Sequence, residues 1–356
     1  MAKVNSEFQQ NGRGMRRYRL LIFICFAAGC IAGCGFQKEI LLTGRTMGTT
    51  YHIKVVAGYL THASRLQNKI DQRLKQINNS MSVFIQDSEI SRFNALNQAG
   101  KPVRVSDDFY GVMTMARELF RLTDGAWDGT VGPLINLWGF GAAGRQGGIP
   151  EKEKIFALKA DVGFDLIEMD GENLLSKKNP AVRLNLSSIA KGFAVDEVEA
   201  VIKSQGIENC LVEIGGEVKA SGRKLDGTRW KVGVNTPGKN SPLNQVYEAL
   251  GLENKALATS GDYRNYFEKD GITYSHIIDP RTGSPVADTV VSVSVLSDSC
   301  AFADGLATAV MVMGVEKGLD LVNALTGVEC LIVVREAEGL LTDHVSNGFR
   351  HYLLSL

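Results

Sequence analysis

The sequence has no excess of charge of either sign: 39 Lys and Arg balance 39 Asp and Glu over 356 residues. That balance denies the chain a global field drawing it to nucleic acid or anionic lipid, so no nucleic-acid partner is expected and any anionic ligand has to be held by local groups. Cysteine is scarce as well. Beyond Cys34 only Cys210, Cys300 and Cys330 occur, each in an apolar strand-like or helical context and without CxxC spacing. That pattern predicts buried thiols and argues against a disulfide framework or a cysteine metal site. No internal repeat and no low-complexity linker breaks the chain, and the apolar run from Leu20 to Ala28 is too short to span a bilayer comfortably.

That run nevertheless has the setting of an export signal, with Arg16, Arg17 and Arg19 before it and small residues after it. Ile31-Ala32-Gly33-Cys34 resembles a bacterial lipobox, whose cysteine becomes the lipidated first residue of the mature protein; Ala27-Ala28-Gly29-Cys30 is a weaker match. Polar residues precede Met15, which makes Met15 an alternative start. Residues 1–34 are therefore read as a signal peptide with lipidation at Cys34. The expected location is the bacterial periplasm, lipid-anchored to a membrane, inner or outer left open, and the competing reading is an uncleaved membrane anchor.

The rest, residues 35–356, has 44% hydrophobic content over the whole chain and length enough for a large core. Alternation from Thr50 to Val55 predicts a strand, and Leu66, Ile70, Leu74 and Ile77 predict a helix over 61–77 with Thr61 as its cap. Ser106 caps a second predicted helix that Gly125 ends. Residues 124–150, rich in glycine, are too long for an ordinary connection and read as a functional loop. A short helix near 151–160 follows, then strands at 166–169 and 182–186 and a helix from about Ser188 to Ser204. Further strands are expected at 211–214, 230–234, 256–259, 290–296 and 330–334, and helices at 300–313 and 315–325. Strands do not alternate regularly with helices, which predicts one α+β domain, with a mixed, largely antiparallel sheet and flanking helices, rather than a doubly wound α/β fold.

The 38 glycines exceed an average composition, and clusters such as Gly215-Gly216 suggest close backbone approach to a ligand. Gly139-Phe140-Gly141-Ala142-Ala143-Gly144 has the letters of a dinucleotide fingerprint, but Gly147, Gly148 and Pro150 prevent the helix that such a motif must open, so a Rossmann site is rejected. Asp304 and Thr308, four apart in a helical segment, share a face and would suit Mg²⁺; the bland alternative is a helix-dipole Asp and a back-bonding Thr. His276 has the intrinsic pKa of a general base near neutrality, and alternation puts it on one face with Ile278. Ser188 is placed at a helix N-terminus, where free N–H groups favour an anion, and Lys191 in the first turn suggests a bound anion offsetting its charge.

Together these segments resemble the bacterial FAD:protein FMN transferases of the ApbE family. The matching pieces are Met47-Gly48-Thr49, the run from Asp87 to Asn94, Asp128-Gly129-Thr130-Val131-Gly132-Pro133, Leu137 to Gly141, Ile189-Ala190-Lys191-Gly192 with Ala194-Val195-Asp196, and Gly215-Gly216. Three further pieces are Ala258 to Tyr263, Tyr274 to Gly283 and Ala303 to Thr308.

The resemblance implies an α+β flavin transferase that binds FAD and Mg²⁺, moves FMN onto a Thr or Ser of a target protein and releases AMP. Mn²⁺ is an alternative metal, since both ions accept oxygen ligands. It further implies an acceptor motif of the form Asp-x-x-Ser/Thr-Gly-Ala-Thr/Ser, metal ligation by Asp304, Thr308 and the carbonyl of Ala190, and His276 as base. Phe84 would stack on the flavin, while Met47, Asp128, Ser187, Ser188, Lys191, Ser260, Gly261, Asp262, His276 and Thr282 would line the FAD cleft. Departures from the family pattern are Asn185 for a frequent Asp, Ser187-Ser188 for Gly-Gly, Gly129 for Pro and Phe84 for Tyr. The rival readings are a Mg²⁺-dependent FAD pyrophosphatase giving FMN and AMP, a flavin-binding lipoprotein without chemistry, and an unrelated periplasmic binding module.

Overall fold

Gln37–Thr46 (β1) turns back at Met47-Gly48 onto Thr49–Gly58 (β2) in unbroken antiparallel register. Both turn residues have positive φ, 48° at Met47 and 72° at Gly48, the two-residue hairpin that matches strand twist. In this computed structural model residues 37–141, 144, 148–238, 245–262, 265–286, 289–336 and 339–354 are described. The export signal, Met15, Cys30 and Cys34 lie outside them, as do Ala142, Ala143 and Tyr263.

Six more strands extend the hairpin into an eight-stranded sheet: Asn209–Ile214 (β3), Glu217–Ser221 (β4), Lys255–Gly261 (β5), Val290–Ser297 (β6), Glu329–Arg335 (β7) and Leu341–Val345 (β8). Sheet order follows chain order, and every neighbouring pair is antiparallel. The expected mixed, largely antiparallel sheet is thus antiparallel throughout, because each connection returns the chain to the adjacent edge.

Helices occupy the insertions: Ala63–Met81 (α1), Glu89–Ala95 (α2), Asp107–Leu122 (α3), Gly132–Leu137 (α4), Lys152–Lys159 (α5), Ser187–Lys203 (α6), Cys300–Met313 (α7) and Val315–Ala324 (α8). The period-2 alternation of the sheet feeds two cores. Val293, Val295, Cys330 and Ile332 join the helical side, whereas Leu296, Leu331 and Val333 join a second core closed by Trp230 and Leu250. Those two residues belong to the hairpin Trp230–Asn235 with Val246–Leu252, which covers the far face. β6 is buried along its whole length because it is covered on both sides.

Local signals held at Ser106, whose Oγ accepts from Phe109 N at 3.2 Å, and at Gly125, which closes α3 with φ 73° and a bond from its N–H to Phe120 O. Thr61 does not cap α1; His62 stands at the cap without a side-chain bond. The strand expected at 182–186 is absent apart from a single bridge between Arg183 and Val131. Its backbone is claimed by a side chain instead: Asn94 accepts from Leu184 N and donates to Leu184 O, at 2.7 and 2.9 Å. The glycine-rich 124–150 segment contains α4, and its Leu134 and Trp138 pack with Ile155 and Ile278 from outside the segment in a small core.

Gly139 follows α4 rather than opening a helix. Its N–H bonds to Asn136 O, Phe140 N–H bonds to Ile135 O, and φ is 80° at Gly139, the paired closure of a helix C-terminus. Residues 142, 143 and 145–147, where the helix of a dinucleotide motif would open, lie outside the described residues. Cys210, Cys300 and Cys330 are free and buried, with burial pushing the Cys210 and Cys330 thiols up to about 12.

Candidate functional site

The site is organised by the meeting of α6 and α7. Asp196 on α6 accepts from Ser299 Oγ and from the N–H groups of Cys300 and Ala301, at 2.9, 3.0 and 3.0 Å, so one helix caps the other. Lys219 on β4 holds the same carboxylate at 2.7 Å. The helices touch at Gly192, where a Cβ would lie 2.3 Å from the Cys300 carbonyl oxygen. This contact lets Gly192 N–H donate to Asp304 Oδ2 at 3.0 Å.

Beside this junction the sheet has a gap. β5 pairs with β4 only over Lys255 to Leu257, so residues 258–261 run on without β4. A cavity of about 570 Å³ occupies the opening, walled on one side by Ser187, Ser188, Lys191, Asp304 and Thr308 and on the other by Lys231 to Asn235. Thr259, Ser260 and Gly261 of β5, Gly215 and Gly216 of the β3–β4 turn, and His276 complete it. Its volume falls in the range of cofactor-sized pockets.

Asp304 is buried at 4% exposure. Burial raises its pKa, and the neighbouring Lys191 and the Gly192 N–H oppose that rise. Oδ2 is used by Gly192, and no protein hydrogen bond to Oδ1 is found among the described residues. Thr308, one turn on, has its Oγ1 2.9 Å from Ser260 Oγ. A carboxylate oxygen and a hydroxyl of this kind are hard donors suited to Mg²⁺ or Mn²⁺, with waters and phosphate completing the shell. No group of three or more His, Cys, Asp or Glu able to hold a metal occurs among the described residues. The donor set therefore fits a cation that relies on its ligand's oxygens, and not a closed structural zinc.

Lys191 does not wait for an anion, as its position in the sequence suggested. Its ammonium is paired with Glu217, the first residue of β4, and that ion pair, with Asp304 nearby, raises its pKa against the effect of burial.

His276 follows the hairpin Tyr266–Lys269 with Ile272–Ser275, where the strand breaks. The simple alternation fails here, since Ile277 and Ile278 are both buried. The break lets the Asn265 carbonyl accept two bonds, from His276 N–H at 3.1 Å and from Nδ1 at 3.0 Å. A carbonyl only accepts, so Nδ1 carries the proton and Nε2 is left with its lone pair. Burial lowers the imidazole pKa below its ordinary 6.5, with the Asn265 bond opposing and Lys191 adding to the fall. Phe140 packs edge-on against the ring at 6.3 Å.

The cavity thus gathers Asp128, Ser187, Ser188, Lys191, Ser260, Gly261, His276, Asp304 and Thr308 from five separate stretches of chain. Asp128 is fully engaged: Oδ1 accepts from Thr130 N and Oγ1, and Oδ2 from Phe164 N. Burial pushes its pKa up to about 6. Met47, Phe84, Ala190, Asp262 and Thr282 are not among the lining residues described. Met47 occupies the β1–β2 turn, Phe84 stands 73% exposed before α2, and Thr282 closes a turn through its Oγ1 and Asp279 O. Ala190 is buried on α6, two residues before the Gly192 that holds Asp304. Asn185 bonds Ser187 N at 3.0 Å, which shapes the start of α6.

Sequence reasoning missed Glu217, Asn265 and Trp127, whose Nε1 donates to Ser188 Oγ at 3.0 Å. Only Glu217 carried a local signal, as the polar residue directly after Gly215-Gly216.

Comparison with known proteins agrees with this architecture. The ApbE family model matches residues 47–332. A Vibrio cholerae protein named FAD:protein FMN transferase is 44% identical over 325 residues, covering 91% of this chain and 96% of that protein. A Haemophilus influenzae protein of the same name is 39% identical over 322 residues, covering 89% and 92% respectively. The solved structure of the flavin transferase ApbE from Vibrio cholerae superposes with a TM-score of 0.81 at 42% identity, covering 89% of this chain and all of that one.

Proposed function

The chain belongs to the ApbE family, and we propose that it is an FAD:protein FMN transferase that joins FMN to a Ser or Thr hydroxyl and releases AMP. The observation that carries this reading is the fixed tautomer of His276 on the wall of a cofactor-sized cavity that also holds Asp304. FAD is the substrate that such a cavity would bind, with its diphosphate near Ser188 at the start of α6.

The acceptor oxygen attacks the phosphorus of the FMN half while Nε2 of His276 takes its proton. The bond from that phosphorus to the bridging oxygen breaks, and AMP leaves with the electron pair. The product is a phosphodiester-linked flavoprotein. Nδ1–H stays on the Asn265 carbonyl throughout, which keeps the ring aimed and stabilises the imidazolium that forms. A Mg²⁺ or Mn²⁺ ion held by Asp304, Thr308 and the Ala190 carbonyl would supply neutralisation of the diphosphate charge and of the departing AMP.

The acceptor is a protein, and the motif Asp-x-x-Ser/Thr-Gly-Ala-Thr/Ser is the sequence we expect around the modified hydroxyl. The arginines before Leu20 and the lipobox at Cys34 support a periplasmic, lipid-anchored enzyme. Loss of lipid labelling in Cys34→Ala tests the anchor.

Intact-mass measurement of an acceptor carrying that motif, incubated with the protein, FAD and Mg²⁺, tests the reaction. Gain of one FMN with matching AMP is expected. AMP without acceptor modification would point to a pyrophosphatase, and neither product to a flavin-binding protein without chemistry.

A further inference from the structure

Three charged side chains face one another across the gap in the sheet: Lys191 and Asp304 on the helices and Glu217 on β4. Glu217 is 2% exposed, so its charge has to be met within the protein. Its placement is set by the β3–β4 turn, in which Gly215 and Gly216 have φ of 62° and 104° and Glu213 Oε1 accepts from Gly216 N–H at 2.8 Å. Lys191 Nζ has two carboxylates within electrostatic reach, Glu217 and Asp304, and makes its ion pair with Glu217. Among the described residues no ammonium pairs with the Asp304 oxygen that Gly192 leaves unused.

We propose that Glu217 is a positioning residue that holds the Lys191 ammonium away from Asp304 and so keeps the carboxylate available to a divalent cation. The proposal rests on the reading of Asp304 as a metal ligand. Without Glu217, the half-buried Lys191 ammonium would be left beside the buried Asp304 carboxylate, and the two would pair. That internal salt bridge would compete directly with the cation. Two unit charges a few ångströms apart in a partly buried site interact by kilocalories, which is enough to shift an ion-binding equilibrium by an order of magnitude. The acid at the start of β4 thereby acts on the metal through the lysine, without itself touching it.

The test is Mn²⁺ binding to the whole protein without FAD, read from the free Mn²⁺ signal in electron paramagnetic resonance. Glu217→Gln is expected to weaken binding roughly 10-fold or more. The double variant Glu217→Gln/Lys191→Met, in which the competing ammonium is gone, should return to within about 3-fold of the parent. Lys191→Met alone should bind no more weakly than the parent, and this arm stands even where Glu217→Gln fails to fold. Parental affinity in Glu217→Gln overturns the inference, and so does a double variant that stays weak, because Glu217 would then act by its own charge or by its packing. A parent protein that binds no Mn²⁺ overturns the metal reading itself and this inference with it. Parental binding that is lost in Asp304→Ala keeps the metal reading in place whatever the Glu217 variants do.

Discussion

Gly192 N–H donates to Asp304 Oδ2 at 3.0 Å across the contact between α6 and α7. Orientation of the carboxylate therefore depends on how closely two helices from distant parts of the chain approach.

Gly192→Ala tests that dependence. The new Cβ would sit 2.3 Å from the Cys300 carbonyl oxygen and 2.7 Å from Ala301 Cα, both backbone atoms. Overpacking of this kind costs about 1–3 kcal/mol, to be read from urea unfolding, and FMN transfer should fall along with it because Asp304 is displaced. An alanine variant with parental stability and transfer would mean that the helices part without consequence.

Asp196→Ala removes the acceptor for Ser299 Oγ and for the first two N–H groups of α7, weakening a cap that Ser299 then supplies alone through Phe302 N–H, and among the described residues leaves Lys219 only Glu199, at 3.4 Å, as an ion-pair partner. Loss of a helix cap costs about 0.5–2 kcal/mol. The melting temperature should drop, with weaker cation binding accompanying the drop, since α7 carries both Asp304 and Thr308.

His276→Ala should lower transfer by about 10²–10⁴-fold, the usual contribution of a general base, while FAD binding measured by fluorescence stays near the parental value. Equal transfer in the variant and the parent would remove His276 from the mechanism.

The pH dependence follows from the direction of the His276 shift. Burial lowers the pKa below 6.5, so the neutral base predominates at pH 7 and the acid limb of the single-turnover rate should fall below pH 6.5. The unfolded chain takes up this proton near pH 6.5 and the folded chain only at lower pH. Stability from this group is therefore present above 6.5 and lost as pH falls through the folded pKa. A rate profile whose acid limb lies above 6.5 would contradict the burial argument.

Much of the fold was readable because local patterns suffice where one face of an element is buried. Leu66, Ile70, Leu74 and Ile77 marked α1, Ser106 and Gly125 bounded α3, and the continuous apolar run from Cys330 to Val334 marked β7. β1 went unread, since its apolar residues are confined to the consecutive run Ile40-Leu41-Leu42, which shows no period of two in the sequence although Leu41 is exposed between two buried neighbours. The 182–186 segment misled because apolar alternation reports burial and not hydrogen-bonded pairing, and here Asn94 supplies the bonds.

For the site, the sequence by itself determined the chemistry available: a carboxylate and hydroxyl one helical turn apart, an imidazole beside a turn, a lysine early in a helix. Those facts depend on spacing within a few residues, which helix and strand geometry convert directly into shared faces. Only the tertiary structure decided how they are used. The partner of Lys191 is Glu217, 26 positions away, and the proton on His276 Nδ1 is held by the Asn265 carbonyl across a hairpin. The cavity itself exists because β4 and β5 part after three paired residues. Contacts of that kind depend on how separate segments pack in three dimensions, and nothing in the local sequence carries that information.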